Sequence, residues 1–245
     1  MAVDRNNRWW PLIVFGLALA AALIQSPRPE PAVFSAPPLT QQQTGEAIEQ
    51  ALPQLAELPY TPASPTLTRW ANGRHALAWL GPSLQDSQEV AIWFANQNRH
   101  GQWQTPLEIA SRATAAGGSF ALVSRISSPV LYAEGSWLHL WHIGHALGGW
   151  GGAALYQSTS TDGGKSWTLA RRLPLTAGPG FGAYSLHPPV GLADGGVLLP
   201  LARGVQTPTH GLRFSATGRL IDRLPLDTND PLFSGATDKP QEIPQ

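Results

Sequence analysis

The sequence predicts an all-β protein built from repeated units of short strands, the arrangement found in β-propellers. Its 245 residues include 25 glycines, 23 prolines and 10 tryptophans, and only 13% are charged. Many turns combined with aromatic segments favour sheets over helices. Turn-then-strand segments also recur, because the turn glycines Gly73, Gly135 and Gly195 lie 62 and 60 positions apart. A fixed period of this size is typical of propeller blades with four short strands each.

The charge and cysteine content exclude several classes of function. Sixteen basic residues balance sixteen acidic ones, so the sequence has no overall field that would favour nucleic acid as a partner. The absence of cysteine excludes disulfides and thiolate metal sites. We also predict no metal and no cofactor.

Residues 1–25 predict an export segment. Arg5 and Arg8 precede an uncharged run over residues 9–24, which the polar residues Gln25 and Ser26 follow. A basic flank with an apolar run and a polar exit is typical of a signal-anchor or a signal peptide. A retained anchor would hold the protein in the membrane with its domain on the outer, periplasmic or extracellular side. Cleavage after the small residues near Ala20 would leave a secreted protein.

A linker over residues 26–62 follows the export segment, and a tail closes the chain at residues 229–245. Nine prolines between positions 27 and 65, with a run of three glutamines, favour an extended spacer over helix or sheet. After residue 226 the strand pattern is lost. Residues 63–228 are therefore the predicted folded domain, with about three repeats.

One hairpin motif stands at residues 160–167, where the sequence reads Ser-Thr-Asp-Gly-Gly-Lys-Ser-Trp. Ser160 and Asp162 have short side chains that accept hydrogen bonds from loop N–H groups, and Gly164 tolerates a positive φ. Trp167 is large enough to pack the loop against a sheet, and residues 167–170 are predicted as the returning strand. A weaker copy ends at Trp103, 64 positions earlier.

The pattern Ser-x-Asp-x-Gly-x-x-Trp resembles the Asp-box of sialidase-type propellers, where its role is structural. Residues 64–226 resemble the N-terminal half of the bacterial BNR-repeat sialidase-like, or predicted neuraminidase, family. The likeness includes residues 72–74, 90–93 and 128–131 and the segment that begins at Pro188. It implies a six-bladed propeller of which about three blades are present, and a second chain that supplies the missing blades is one partner the sequence leaves open.

The resemblance implies exo-hydrolysis of a terminal sialic acid or a related acidic sugar. The family's charged first-blade loop corresponds to residues 81–90, where Leu84, Gln85 and Glu89 replace its arginine, glutamate and aspartate. The departures fall on charged positions, which predicts a retained fold with weakened or absent activity. The alternative is a non-catalytic propeller that binds a carbohydrate or a protein and is tethered to the membrane.

The candidate catalytic groups are Asp86 and Glu89, because they are the carboxylates of the first-blade loop. The candidate groups for binding an acidic sugar are Arg125, Tyr184 and His187. Each could also be a solvated loop residue or a packing residue.

Two further expectations concern the strands. His142 and His145 have the spacing of a metal pair on a helix, but they flank a predicted turn at Gly144, so metal binding is not predicted. Because three blades cannot close a ring, the apolar residues 197–199 are expected to face water.

Overall fold

The computed structural model describes residues 10–24, 60–119, 122–146, 152–175, 184–203 and 210–225. The predicted linker, apart from residues 60–62, and the predicted tail lie outside these described residues. The N-terminal helix and the sheets belong to two separate compact units, and each is described by itself.

The first unit contains helix α1, Trp10–Ile24, which coincides with the uncharged run of the sequence. Its 15 residues include the apolar side chains of Leu12 and Phe15, which are exposed. Among the described residues, no helix reaches the length and hydropathy needed to cross a bilayer.

The second unit contains three antiparallel sheets whose strands follow chain order. Sheet 1 consists of β1 Ala63–Arg69, β2 His75–Pro82, β3 Val90–Asn96 and β4 Leu107–Ser111. Sheet 2 consists of β5 Val123–Glu134, β6 Trp137–Ala146, β7 Ala153–Ser160 and β8 Arg171–Arg172. Sheet 3 consists of β9 Tyr184–Leu186, β10 Val190–Gly191, β11 Val197–Arg203, β12 His210–Phe214 and β13 Leu220–Pro225.

The repeat predicted from the turn glycines is confirmed. Gly73, Gly135 and Gly195 have φ values of 84°, 56° and 76°, which a residue without a Cβ adopts at little cost. Gly73 and Gly135 join the first and second strands of their sheets, and Gly195 joins β10 to β11. The period in the sequence is therefore the period of the sheets.

A proline interrupts the first strand of every sheet at the same level. Pro65, Pro129 and Pro189 are 64 and 60 positions apart. The first two lie at register shifts in β1 and β5, and the third lies in the gap between β9 and β10, which both pair with β11. Proline has no N–H to donate, so the ladder breaks at these points. The preceding residues Ser64 and Ser128 have φ values of 49° and 51°, which are unusual for residues with a Cβ.

The sheets pack face to face and form two apolar layers. Leu131, Leu138 and Leu140 of sheet 2 pack with Ile92 and Phe94 of sheet 1. The other face of sheet 2 packs on sheet 3, and this layer includes Trp141, Leu155, Val197, Leu199 and Phe214. Side chains on alternate positions of a strand point to opposite faces, so β6 contributes to both layers.

The expectation that residues 197–199 face water is wrong. Val197, Leu198 and Leu199 are each 0% exposed. Val197 and Leu199 point toward sheet 2, where they are part of its apolar layer. The third sheet is therefore covered on its sheet 2 side by its own neighbour in the chain.

The Asp-box joins β7 to β8 and is held by its own side chains. Oδ1 of Asp162 accepts hydrogen bonds from the N–H groups of Lys165 and Ser166, both at 3.0 Å, and Oδ2 accepts one from the Ser166 hydroxyl at 2.6 Å. Ser160 Oγ accepts from the Gly164 N–H at 2.9 Å and donates to Asp162 Oδ1 at 2.8 Å. These bonds hold the pKa of Asp162 well below its usual range, the bonds from Ser166 contributing most.

The same loop fastens sheet 2 to sheet 1. The Trp167 ring meets the Phe94 ring of β3 edge-on, with the ring centroids 5.4 Å apart. The Gly163 carbonyl accepts a hydrogen bond from the Asn96 side-chain amide at 2.6 Å. The predicted structural role of the Asp-box agrees with these contacts. The returning strand is shorter than predicted, because it consists of Arg171–Arg172 and residues 167–170 are not in a strand. The Thr168 N–H still donates to the Thr159 carbonyl of β7 at 2.9 Å.

The equivalent loops of sheets 1 and 3 follow the same design. Asn98 takes the place of the Asp-box carboxylate, since its Oδ1 accepts from the N–H groups of His100 and Gln102. In sheet 3 the Gly218 carbonyl accepts from the side-chain amide of Gln157 in sheet 2, at 2.8 Å. A side-chain amide on the third strand of one sheet thus holds the loop of the next sheet at both contacts between the sheets.

A short helix, α2 at Arg112–Ser119, lies between β4 and β5 and was not predicted. Ser111 precedes it and exchanges hydrogen bonds with Thr114, the N–H of Ser111 donating to Thr114 Oγ1 at 2.8 Å. Such reciprocal bonds define the start of a helix. The helix packs on β8 and β5 so closely that a Cβ at Gly118 would lie 2.3 Å from the Ala170 carbonyl oxygen.

Candidate functional site

The candidate site lies at one end of the sheets. In sheet 3 we count β9 and β10 together as the first strand, because both pair with β11. In each sheet the first strand then joins the second, and the third joins the fourth, at the same end, which we call the turn end. We call the opposite end the loop end. Asp86 and Glu89 lie there in the β2–β3 connection, Arg125 lies near the start of β5, and Tyr184 begins β9. Three different sheets therefore bring predicted site residues to the same end of the domain.

Glu89 is bound to a residue that sequence reasoning did not select. Its carboxylate forms an ion pair with the guanidinium of Arg112, the first residue of α2. Hydrogen bonding to Glu89, followed by its charge, raises the pKa of Arg112. This ion pair connects the β2–β3 connection to α2, so Glu89 makes a structural contact.

The rest of the β2–β3 connection is closed by hydrogen bonds of its own. The Ser83 N–H donates to the Glu89 carbonyl, and Asp86 Oδ1 accepts from the Gln88 N–H, both at 2.9 Å. Glu108 of β4 accepts from the Leu84 N–H at 2.6 Å and from the Ser83 hydroxyl. Asp86 remains exposed, so its carboxylate is free to meet solvent or a ligand.

A polar cluster on β5 and β6 forms the second part of the loop end. Ser127 Oγ lies 2.8 Å from Nε2 of His145, and Arg125 is the register partner of His145. Burial, followed by the charge of Arg125, lowers the pKa of His145. Arg125 itself is exposed and takes part in neither of the two ion pairs found among the described residues. This cluster offers a cation, an imidazole and a hydroxyl to one ligand.

The third part of the loop end belongs to sheet 3. His187 directly follows β9, its N–H donates to the Pro200 carbonyl at 3.2 Å, and its side chain is exposed. Tyr184 pairs with Arg203 through the backbone, and the side chain of Tyr184 lies outside the described residues. The backbone N–H of Glu89 donates to the Asp86 carbonyl at 2.9 Å. Within the described part of the chain, no other hydrogen bond or ion pair connects two of the predicted catalytic or sugar-binding residues.

The prediction of a turn at Gly144 is wrong, because Gly144 lies inside β6. A glycine is required there, since a Cβ would lie 2.4 Å from the Tyr156 ring. His142 and His145 therefore point to opposite faces of one strand, where they cannot share a metal ion. The described residues contain no group of three or more potential metal ligands.

Two histidines of β6 are buried, which the sequence analysis did not predict. His142 is 0% exposed and stacks on the Tyr156 ring, with centroids 5.5 Å apart. His139, also fully buried, lies between the rings of Trp137 and Trp141. Burial lowers the pKa of both histidines to about 4, so both are neutral at pH 7.

A tyrosine–glutamate contact occurs, but at the turn end. The Tyr132 hydroxyl donates to Glu134 Oε2 at 3.1 Å. Burial, followed by the charge of Glu134, raises the pKa of Tyr132 to about 12. A nucleophilic tyrosine needs a lowered pKa, so this pair is not suited to nucleophilic catalysis.

The sequence matches one known protein family over most of the folded domain. The model of the BNR repeat-like domain matches residues 73–228. The chain belongs to the BNR repeat-like domain family. No curated protein matches the sequence. The BNR assignment is thus confirmed, and the sialidase type stays a prediction.

Three solved structures to which the chain is similar share low sequence identity with it. Xylan β-1,4-xylosidase from Bacillus halodurans is 13% identical, with a TM-score of 0.45 over 66% of this chain and 31% of that chain. Exo-β-1,3-galactanase from Clostridium thermocellum is 14% identical, with a TM-score of 0.47 over 66% and 36%. The α-L-arabinofuranosidase from Fusarium graminearum is 14% identical, with a TM-score of 0.46 over 69% and 51%. The chain spans about a third to a half of the length of these proteins.

Proposed function

We propose that this BNR repeat-like domain binds a glycan through a carboxylate-bearing sugar at its loop end. Arg125 carries the proposal, because it is exposed and forms no ion pair with the described residues. A guanidinium binds a carboxylate through two parallel hydrogen bonds, and few other side chains match that geometry.

The neighbours of Arg125 complete a site for a polar sugar. Ser127 and His145 already form a hydrogen bond at 2.8 Å, and each retains capacity to bond a sugar hydroxyl. His145 has a lowered pKa, so at neutral pH it contributes a neutral donor and acceptor instead of a second cation. Asp86 and His187 are exposed at the same end and are the further candidate contacts.

Hydrolysis by this chain alone is the weaker proposal. Glycosidases need an acid with a raised pKa, and sialidases use a tyrosine nucleophile in place of a second carboxylate. Glu89 is held in an ion pair with Arg112. Tyr132 has a raised pKa, whereas a nucleophilic tyrosine needs a lowered one. We propose binding as the function, with sialidase turnover as the alternative that the family resemblance implies.

Export to the outer side of a membrane fits this role. Helix α1 follows two arginines and is uncharged throughout. We propose that it directs export, and that it either remains as an anchor or is removed.

The test is a calorimetric titration of the full chain with 3′-sialyllactose and with lactose, which lacks the carboxylate. We expect binding of 3′-sialyllactose only, and Arg125→Ala should weaken it by roughly tenfold or more, as loss of one charged bidentate contact does. Arg172→Ala is the matched control, because Arg172 is an exposed arginine of β8. Equal binding of lactose, or an unchanged affinity of Arg125→Ala, would refute the proposal. Release of the fluorophore from a fluorogenic sialoside would favour the enzyme instead.

A further inference from the structure

A second polar site lies at the turn end, between sheets 1 and 2. This cavity, which we call the rim groove, has a volume of about 730 Å³. It is lined by the β1–β2 turn, the β5–β6 turn, and the Asp-box loops of the two sheets. Its volume is in the range of small-molecule binding sites. The rim groove and the loop end occupy opposite ends of the strands.

Three cations line the rim groove, namely Arg74, Arg99 and Lys165. None of them takes part in the ion pairs formed by the described residues, which are Arg112–Glu89 and Arg213–Asp222. Arg74 lies over the Trp70 ring, 5.3 Å from its centroid, and this contact fixes the direction of its guanidinium. The Nε atom of Arg74 is buried and has no hydrogen-bond partner among the described residues. An unpartnered buried donor beside a cavity indicates a missing acceptor.

One carboxylate lines the rim groove and offsets one of the three positive charges, so three cations less one anion leave a net charge of +2 among the described lining residues. Asp162 is the one acidic residue among the described residues that line it. Its two oxygens accept four hydrogen bonds inside the Asp-box, from Ser160, Lys165 and twice from Ser166. Glu134, next to the β5–β6 turn, accepts from Tyr132. The acidic groups near the groove are thus already bonded, whereas the basic groups retain donors.

Neutral amides stand beside the cations. The side-chain oxygen of Asn72 accepts a hydrogen bond from the backbone N–H of Arg74 at 3.1 Å. The side-chain nitrogen of Asn72 has no hydrogen bond to the described residues. Gln104 also lines the groove, and its side chain makes no hydrogen bond within the described part of the chain. Side-chain amides suit sugar hydroxyls, which both donate and accept.

We propose that the rim groove binds an acidic saccharide, with its carboxylate or sulfate groups on Arg74, Arg99 and Lys165 and its hydroxyls on Asn72 and Gln104. The site is separate from the loop end and does not depend on the proposed function of Arg125. A glycan could therefore contact the domain at two ends, or two different glycans could bind at once.

The experiment is a titration of the full chain with trigalacturonate, and with its fully methyl-esterified form as the uncharged match. We expect trigalacturonate to bind, and binding to weaken when NaCl is raised to about 0.2 M, because exposed charge pairs are screened. The double variant Arg74→Gln/Lys165→Gln should bind roughly tenfold more weakly or worse. Arg99→Gln/Lys165→Gln changes two exposed side chains and provides the same test if Arg74→Gln does not fold.

Two controls separate this site from the loop end and from a general charge effect. Arg172→Gln removes an exposed arginine outside the groove and should leave trigalacturonate binding unchanged. Arg125→Ala removes the loop-end cation, and in that background the rim groove should still bind trigalacturonate and Arg74→Gln/Lys165→Gln should still weaken that binding. Loss of all trigalacturonate binding in Arg125→Ala alone would overturn the proposal of a separate site.

Other outcomes would overturn the proposal as well. The methyl ester binding as tightly as the acid would show that charge is not recognised. Inorganic sulfate binding as tightly as trigalacturonate would indicate a simple anion site. The trinucleotide dT3 binding more tightly than trigalacturonate would indicate a nucleic-acid partner instead.

Discussion

The two adjacent glycines of the Asp-box provide a test of how sheet 2 is fastened to sheet 1. Gly163 and Gly164 have φ values of 76° and 90°, so alanine at either position carries a similar backbone cost, about 1–2 kcal/mol. Their surroundings differ. A Cβ at Gly163 would meet no atom within 4 Å, whereas a Cβ at Gly164 would lie 2.2 Å from the Phe94 ring of β3.

The clash at Gly164 adds an overpacking cost of about 1–3 kcal/mol. Gly164→Ala should therefore lower the free energy of unfolding by about 2–5 kcal/mol, and Gly163→Ala by about 1–2 kcal/mol. Urea denaturation followed by tryptophan fluorescence measures both variants under the same conditions. Phe94→Leu should recover part of the loss in Gly164→Ala and none in Gly163→Ala. Equal losses in the two glycine variants would refute the contact between the Asp-box and sheet 1.

Three further predictions follow from the described contacts. Trp167→Ala should cost about 3 kcal/mol in urea denaturation, because it removes a large ring packed on Phe94; a silent variant would contradict the stapling role. Acidification from pH 6.5 to 4 should destabilise the fold by up to about 3 kcal/mol for each of His139 and His142, since unfolded histidines titrate near 6.5 and these two near 4, so the unfolded state binds the extra protons. The double variant His139→Phe/His142→Phe should show a flatter stability profile over that range, and an unchanged profile would exclude these residues as its cause. A retained anchor should leave the protein in membranes after a high-salt wash, whereas a new N-terminus near Ala21 in mass spectra would show that the segment is removed.

The repeat could be predicted because its signals are local. A turn glycine and an Asp-box each specify the local backbone geometry within eight residues. Both signals recur along the chain at a spacing near 60 residues. The three prolines of the first strands have the same period, so the breaks in these strands were also readable in the sequence. The burial of residues 197–199 could not be predicted from the sequence, because it depends on how the sheets pack.

The composition of the candidate site was only partly predictable. Arg125 and Asp86 were selected from their places beside predicted strands and loops. The bond between Ser127 and His145 depends on the register of β5 and β6, which the sequence does not specify. The ion pair of Glu89 depends on α2, a helix of eight residues with two glycines and no clear helical pattern. A contact between two secondary-structure elements can be predicted only when the positions of both elements are known.

The measurement that tests the central claim most directly is a crystal structure of the full chain with 3′-sialyllactose. The account predicts the sugar carboxylate at the loop end, with its two oxygens about 2.7–2.9 Å from the guanidinium of Arg125. It also predicts a hydroxyl of the sugar in contact with Ser127 or His145. A carboxylate bound only in the rim groove at Arg74, or a loop end that stays empty at saturating ligand, would contradict it.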